Sequence, residues 1–161
     1  MKKKKLIFII PILIFIVIFS SLLALNIPHI KYGYDSTTDS YFVEEVFGNA
    51  KKYEIKNEYN NKKVTTIGVR AFYNHSNLEE IILPENVCHI NRLAFAECPK
   101  LSKINLENVK EISRNAFDYD ISLTEVNLDS IVNLGGSVFL NTSLEKVNFN
   151  GNNKLLSIHK A

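Results

Sequence analysis

The chain has 161 residues, 46% hydrophobic and 22% charged, which bounds it at one ordinary domain with enough apolar material for a core. The formal net charge is +2, but four of the nineteen Lys and Arg residues are Lys2 to Lys5; the remainder has fifteen basic against seventeen acidic residues, which removes the electrostatic motive for nucleic-acid binding. Two cysteines, Cys88 and Cys98, are too few for a disulfide framework.

In chain order, the first element is the apolar run Leu6 to Ala24, broken by Pro11, Ser20 and Ser21 and preceded by the lysine cluster. Charge followed by an apolar stretch reads as an export or anchoring segment. Nineteen residues at a helical rise of about 1.5 Å span roughly 28 Å, close to the ~30 Å hydrocarbon core of a bilayer. Lysines on the N-terminal side favour a cytoplasmic N-terminus with the remainder outside. Leu22 and Ala24 form a tolerable cleavage pattern, so residues 1–25 are expected to be either a cleaved signal peptide or a signal-anchor transmembrane helix. In both cases the rest of the chain is extracytoplasmic, secreted or held at the membrane.

Residues 26–40 contain Pro28, Gly33, Ser36, Thr37 and Thr38 and read as a spacer. Residues 41–63 carry an apolar segment from Tyr41 to Phe47, a Gly48-Asn49 turn, a short extended stretch Tyr53 to Ile55 and a polar loop. They read as capping strands or a degenerate first coil that shields the later coils from solvent and edge pairing.

Val64 opens a repeat. Segments 64–86, 87–108, 109–130 and 131–154 are four copies in register, and 155–161 begins a fifth; a period in the low twenties is the signature of a solenoid. Val64, Val87, Val109 and Ile131 start the copies, followed three residues on by Ile67, Ile90, Ile112 and Leu134. A small-residue column, Ala71, Ala94, Ala116 and Val138, precedes the aromatic column Phe72, Phe95, Phe117 and Phe139. Leu78, Leu101, Leu123 and Leu144 then lead into Ile81/Leu83, Ile104/Leu106, Val126/Leu128 and Val147/Phe149. The L-x-x-I-x-L part alternates as a strand does. The A-F part is too short for a free helix and reads as one or two helical turns held down by the Phe column. Neither part buries itself alone, so the copies must stack.

The pattern seen in VCHINRLAFAECPKLSKINL and VKEISRNAFDYDISLTEVNL resembles the BspA-like leucine-rich repeat, the Treponema pallidum-type class, from Val64 to Ile158. The resemblance implies parallel strands along the concave side of a curved solenoid and short helical turns on the convex side. The expected fold is therefore an α/β solenoid: a short right-handed coil with one parallel strand per repeat and helical turns opposite, preceded by an N-terminal hydrophobic helix. It also implies an extracytoplasmic module for protein–protein or cell-surface binding, including adhesion, without catalysis. The alternatives are a structural cell-envelope protein, or a truncated fragment of a longer repeat protein with no independent ligand.

The strand register predicts which side chains face outward. Lys52, Glu80, Lys103, Glu125 and Lys146 alternate in sign in consecutive coils, so neighbours about 4.8 Å apart attract and a slip of one coil sets like against like. The adjacent outward column reads Ile82, Asn105, Asn127 and Asn148, and the next Pro84, Glu107, Asp129 and Asn150. These are the candidate contacts for a protein or matrix ligand on the concave face; a hydrated, self-satisfied asparagine ladder is the competing reading.

Catalytic and metal chemistry find no carrier, and no cofactor is implied. His29, His75, His89 and His159 are scattered without a metal or triad spacing, and Gly135-Gly136 lacks a following phosphate-loop lysine. Cys88-His89 has no second Cys-x-x-Cys to accompany it. Cys98 occupies the slot held by His75, Asp120 and Thr142 in other coils and reads as a semi-buried packing residue, with a Cys88–Cys98 disulfide left open. Leu155 and Ile158 begin a coil that Ala161 ends without a polar cap, which reads as truncation or as an end covered through self-association.

Overall fold

The computed structural model describes residues 27–149 and the strand Ser157–Ile158. Its elements are thirteen short strands: β1 (His29–Asp35), β2 (Ser40–Phe47), β3 (Lys52–Glu54), β4 (Glu58–Tyr59), β5 (Lys62–Ile67), β6 (Glu80–Ile82), β7 (His89–Ile90), β8 (Lys103–Ile104), β9 (Glu111–Ile112), β10 (Glu125–Asn127), β11 (Asn133–Leu134), β12 (Lys146–Asn148) and β13 (Ser157–Ile158). The V-x-x-I part of each copy is extended and pairs in parallel with the next, so Ile67, Ile90, Ile112, Leu134 and Ile158 form one column through β5, β7, β9, β11 and β13. The L-x-x-I part forms a second face, in which Tyr53, Ile81 and Ile104 align through β3, β6 and β8, and Val126 aligns with Val147 through β10 and β12. Each coil thus carries two strands, where the sequence led us to expect one.

The expected helical turns are absent, and the fold is an all-β solenoid rather than α/β: no helix occurs among the described residues. Two features of the A-F segment exclude it. Each copy places two residues in the left-handed region: Arg70 and Asn74 (φ 58° and 59°), Leu93 and Glu97 (59° and 64°), Asn115 and Tyr119 (56° and 65°), Ser137 and Asn141 (both 55°). A right-handed helix does not pass through such positions. The backbone donors are also spent elsewhere. Phe72 N–H donates to Ala94 O (2.7 Å), Phe95 N–H to Ala116 O (2.9 Å) and Phe117 N–H to Val138 O (2.9 Å), so the turns form a third inter-coil ladder. A helix would keep these bonds within one coil.

Inside, Phe72, Phe95 and Phe117 are completely buried and Phe139 partly so. Their rings stack at centroid separations of 5.0, 5.3 and 5.4 Å. Each buried Phe contributes roughly 1.5–3 kcal/mol by transfer, and each stacked pair about 0.5–1.5 kcal/mol beyond that. At the N-terminal end the β1–β2 hairpin lies against β5, and Tyr53 sets its ring edge on Phe72 at 5.6 Å, closing the stack. Gly68 permits that junction: its N–H donates to Val43 O at 2.8 Å, and a Cβ there would lie 2.4 Å from the same oxygen.

The N-terminal hydrophobic helix expected over residues 1–25 lies outside the described residues, and among those described no helix is long and apolar enough to cross a membrane. The lysine cluster and apolar run carried the expected signal peptide or transmembrane helix and the membrane partner, and together with the family resemblance the extracytoplasmic location; with no membrane-crossing helix among the described residues, none of these expectations is upheld. The side chains on which self-association through the last coil would rest, Leu155 to Ala161, are likewise outside the described residues. Cys88 and Cys98 are free thiols; Cys98 is fully rather than partly buried and its thiol donates to Phe72 O at 3.1 Å.

Candidate functional site

The outward side chains of β3, β6, β8, β10 and β12 fall in the columns that the register predicts, because parallel pairing sets Lys52 against Glu80, Glu80 against Lys103, and Glu125 against Lys146. Ion pairs form at two rungs: Lys52 Nζ to Glu80 Oε1 at 3.0 Å and Lys146 Nζ to Glu125 Oε1 at 2.7 Å. The Lys146 hydrogen bond, with that of Asn148, holds the Glu125 carboxyl below the ordinary carboxylate range. Lys103, between Glu80 and Glu125 in the column, is exposed and forms no ion pair among the described residues.

The reason lies in the backbone. Ser102 and Lys103 N–H donate to Glu79 O (3.1 and 3.2 Å), and Glu145 and Lys146 N–H donate to Thr124 O (2.9 and 3.1 Å). The rung between them is missing: β8 pairs with β6 and β10 with β12, and the two sheets stay separate. The asparagine column divides at the same place. Asn105 clamps the preceding coil, its Oδ1 accepting Leu83 N–H at 2.8 Å and its Nδ2 donating to Leu83 O at 2.8 Å. Asn127, one coil on, has a buried Oδ1 with no hydrogen-bond partner among the described residues. Asn148 donates to Glu125 Oε1 at 2.6 Å. Ile104 is half-buried here, whereas its equivalents Ile81 and Val126 are 1% and 2% exposed.

A shallow cleft of about 450 Å³ opens along this break, and six predicted contacts, Glu80, Ile82, Lys103, Asn105, Glu107 and Glu125, line it. A second of about 330 Å³ brings Ile82 and Pro84 together with Glu54 and Lys56. Asp129 and Lys146 are on the face without lining either cleft, and Asn150 lies outside the described residues. A further cleft, of about 510 Å³, includes Tyr34, Asp35, Phe42 and Glu44 of the hairpin, two of which we read as spacer. The alternation of Ile30, Tyr32 and Tyr34 was the available signal that this stretch is a strand. Among the described residues no group of three His, Cys, Asp or Glu side chains is placed to hold a metal ion.

Six copies of the BspA-type leucine-rich repeat region match residues 41–159, so the repeat begins upstream of Val64 and takes in the capping segment. Among solved structures, a leucine-rich repeat protein from Bacteroides capillosus is similar at 24% identity with a TM-score of 0.67, covering 76% of this chain and 94% of that one. The T. pallidum leucine-rich repeat protein is similar at 22% identity and a TM-score of 0.63, covering 73% of this chain and 67% of that one. A leucine-rich cell surface protein from Faecalibacterium prausnitzii is similar at 20% identity and a TM-score of 0.57, covering 77% of this chain and 43% of that one. At these identities the likeness speaks for the fold. No curated protein matches the chain. The repeat match over residues 41–159 shows that the chain belongs to the BspA-type leucine-rich repeat family, whose members are non-catalytic modules that typically mediate protein–protein interaction.

Proposed function

We propose that this module binds an extended, carboxylate-bearing segment of a partner protein across the short-strand face, at the break between β8 and β10. The observation that carries the reading is Lys103, a cation without a counter-charge among the described residues, placed between two carboxylates, one of which, Glu125, is neutralised by Lys146 and the other, Glu80, by Lys52. Ile82 and Pro84 give the neighbouring cleft an apolar wall. An exposed ion pair is worth only ~0.2–1 kcal/mol, so Lys103 sets orientation and salt sensitivity, and affinity accumulates along the face.

The test is an array of short acidic and neutral peptides read against the full chain and two charge reversals. Binding of acidic peptides should fall roughly tenfold in Lys103→Glu and weaken with salt, while Lys31→Glu, on the hairpin, leaves it unchanged. Equal binding by Lys103→Glu, or no preference for acidic peptides, would remove the reading.

A further inference from the structure

The sequence singles out Cys88-His89 as a chemically suggestive pair that the binding face does not use, and the long sheet supplies it with context. Parallel pairing of β5, β7, β9 and β11 sets Thr66, His89, Glu111 and Asn133 in one outward column, one residue per coil. Cys88 Sγ lies 3.1 Å from His89 Nδ1. His89 Nε2 is 3.7 Å from Glu111 Oε2, and Glu111 Oε1 accepts a hydrogen bond from Asn133 Nδ2 at 2.8 Å. Cys88 N–H donates to Thr65 O at 3.0 Å, which fixes the thiol's backbone. A nucleophile, a base within hydrogen-bond reach, a carboxylate facing the far side of that base and an amide that holds the carboxylate are thus assembled from three successive coils.

We propose that Cys88 is a modification site that exchanges with low-molecular-weight disulfides, with His89 as its base and Glu111 and Asn133 as positioning residues. Sγ attacks one sulfur of R–S–S–R as His89 Nδ1 takes the thiol proton. The reagent's S–S bond breaks, and its electron pair leaves with the second sulfur, which takes the proton back from the imidazolium. The products are Cys88–S–S–R and R–SH, so Cys88 is oxidised and the leaving sulfur reduced.

Burial raises the Cys88 thiol above its ordinary range, so it enters the reaction neutral and the proton must be removed during attack. Of the charged groups of the following coil, Lys110 favours the thiolate and Glu111 opposes it, while the preceding coil presents the Thr65 carbonyl and the Thr66 hydroxyl. Cys98 is an internal contrast: it is completely buried, its proton is held by Phe72 O, and burial raises it much further.

The experiment follows mixed-disulfide formation on the full chain with glutathione disulfide, by intact mass, from pH 5 to 9. One equivalent should add to the folded chain and none to Cys88→Ser. His89→Gln should slow addition about tenfold or more at pH 7, with an unchanged circular dichroism melt. Glu111→Gln should slow it less, with Glu111→Asp recovering part of the rate. A short peptide containing Val-Cys-His-Ile-Asn controls for mere adjacency. Addition to the folded chain no faster than to that peptide, or a His89→Gln profile matching the parent, would overturn the proposal.

Discussion

The side-chain amide of Asn105 closes on both main-chain groups of Leu83, taking its N–H and giving to its carbonyl at 2.8 Å each, and so replaces a backbone rung with a side-chain rung. Asn127 stands one coil away in the same column and makes no such clamp with its buried Oδ1. Asn105→Ala should therefore cost about 1–3 kcal/mol, since it leaves part-buried donor and acceptor groups unpaired. Asn127→Ala should cost less than about 0.5 kcal/mol, the range of substitutions that break nothing. Urea unfolding of the two variants checks this, and equal losses would mean that the column works as one ladder.

The column as a whole was legible in the sequence, and its division was not. Register follows from the spacing of Ile81, Ile104, Val126 and Val147, so the outward positions could be named from periodicity alone. Whether Lys103 meets Glu125 depends instead on whether β8 and β10 share hydrogen bonds, which no side-chain pattern specifies. The missing helix is a different kind of failure. Ala71-Phe72 and its equivalents carry ordinary helix formers, but Arg70 and Asn74 take left-handed conformations because stacking the Phe rings commits the intervening N–H groups to the next coil. Tertiary bonding decided against local propensity.

Phe117 sits between two parallel neighbours, at 5.3 and 5.4 Å, and is completely buried, whereas Phe139 is stacked on Phe117 and only partly buried. Phe117→Ala should destabilise by about 3–5 kcal/mol, a large share of a total on the order of 5–15 kcal/mol. Phe139→Ala should cost less. Thermal unfolding followed by far-ultraviolet circular dichroism ranks them, and a larger loss for Phe139→Ala would contradict the stack's order of burial.

Asp120 is completely buried; its Oδ1 accepts Cys98 N–H at 2.9 Å and its Oδ2 has no partner. Burial raises its pKa from the ordinary 3.8 to about 8, with Asp118 adding to the rise and the Cys98 N–H opposing it. The folded chain holds this proton where the unfolded chain has lost it. The stabilising contribution is therefore complete below about pH 4, declines as pH rises to about 8 and is gone above that. His75 acts on the other flank: burial lowers its pKa, so its contribution is present above the imidazole range and is lost as pH falls. Asp120→Asn should come nearest the parent at about pH 4 and exceed it by about 1–3 kcal/mol at pH 9. Chemical unfolding at the two pH values measures the difference, and a constant offset would show that charge is not its cause.

Leu93 provides a test in which turn and helix demand opposite signs. It is half-buried at φ 59°, where its equivalents in the next two coils are Asn115 and Ser137, and its own N–H reaches across to Arg114 O at 3.4 Å. A left-handed backbone costs a branched residue such as leucine about 1–2 kcal/mol, and asparagine, which bonds locally through its short side chain, pays less. Burying half a leucine returns part of that cost, so Leu93→Asn should raise stability by about 0.5 kcal/mol. In a right-handed helical turn the same substitution would lower it, because leucine is among the better helix formers and asparagine among the poorer. Leu93→Val, β-branched and less tolerant of positive φ, should be destabilising in the turn. Paired urea titrations of the two variants therefore read the backbone directly: a gain for asparagine with a loss for valine belongs to the left-handed turn, and a loss for asparagine belongs to the helix that the A-F pattern suggested.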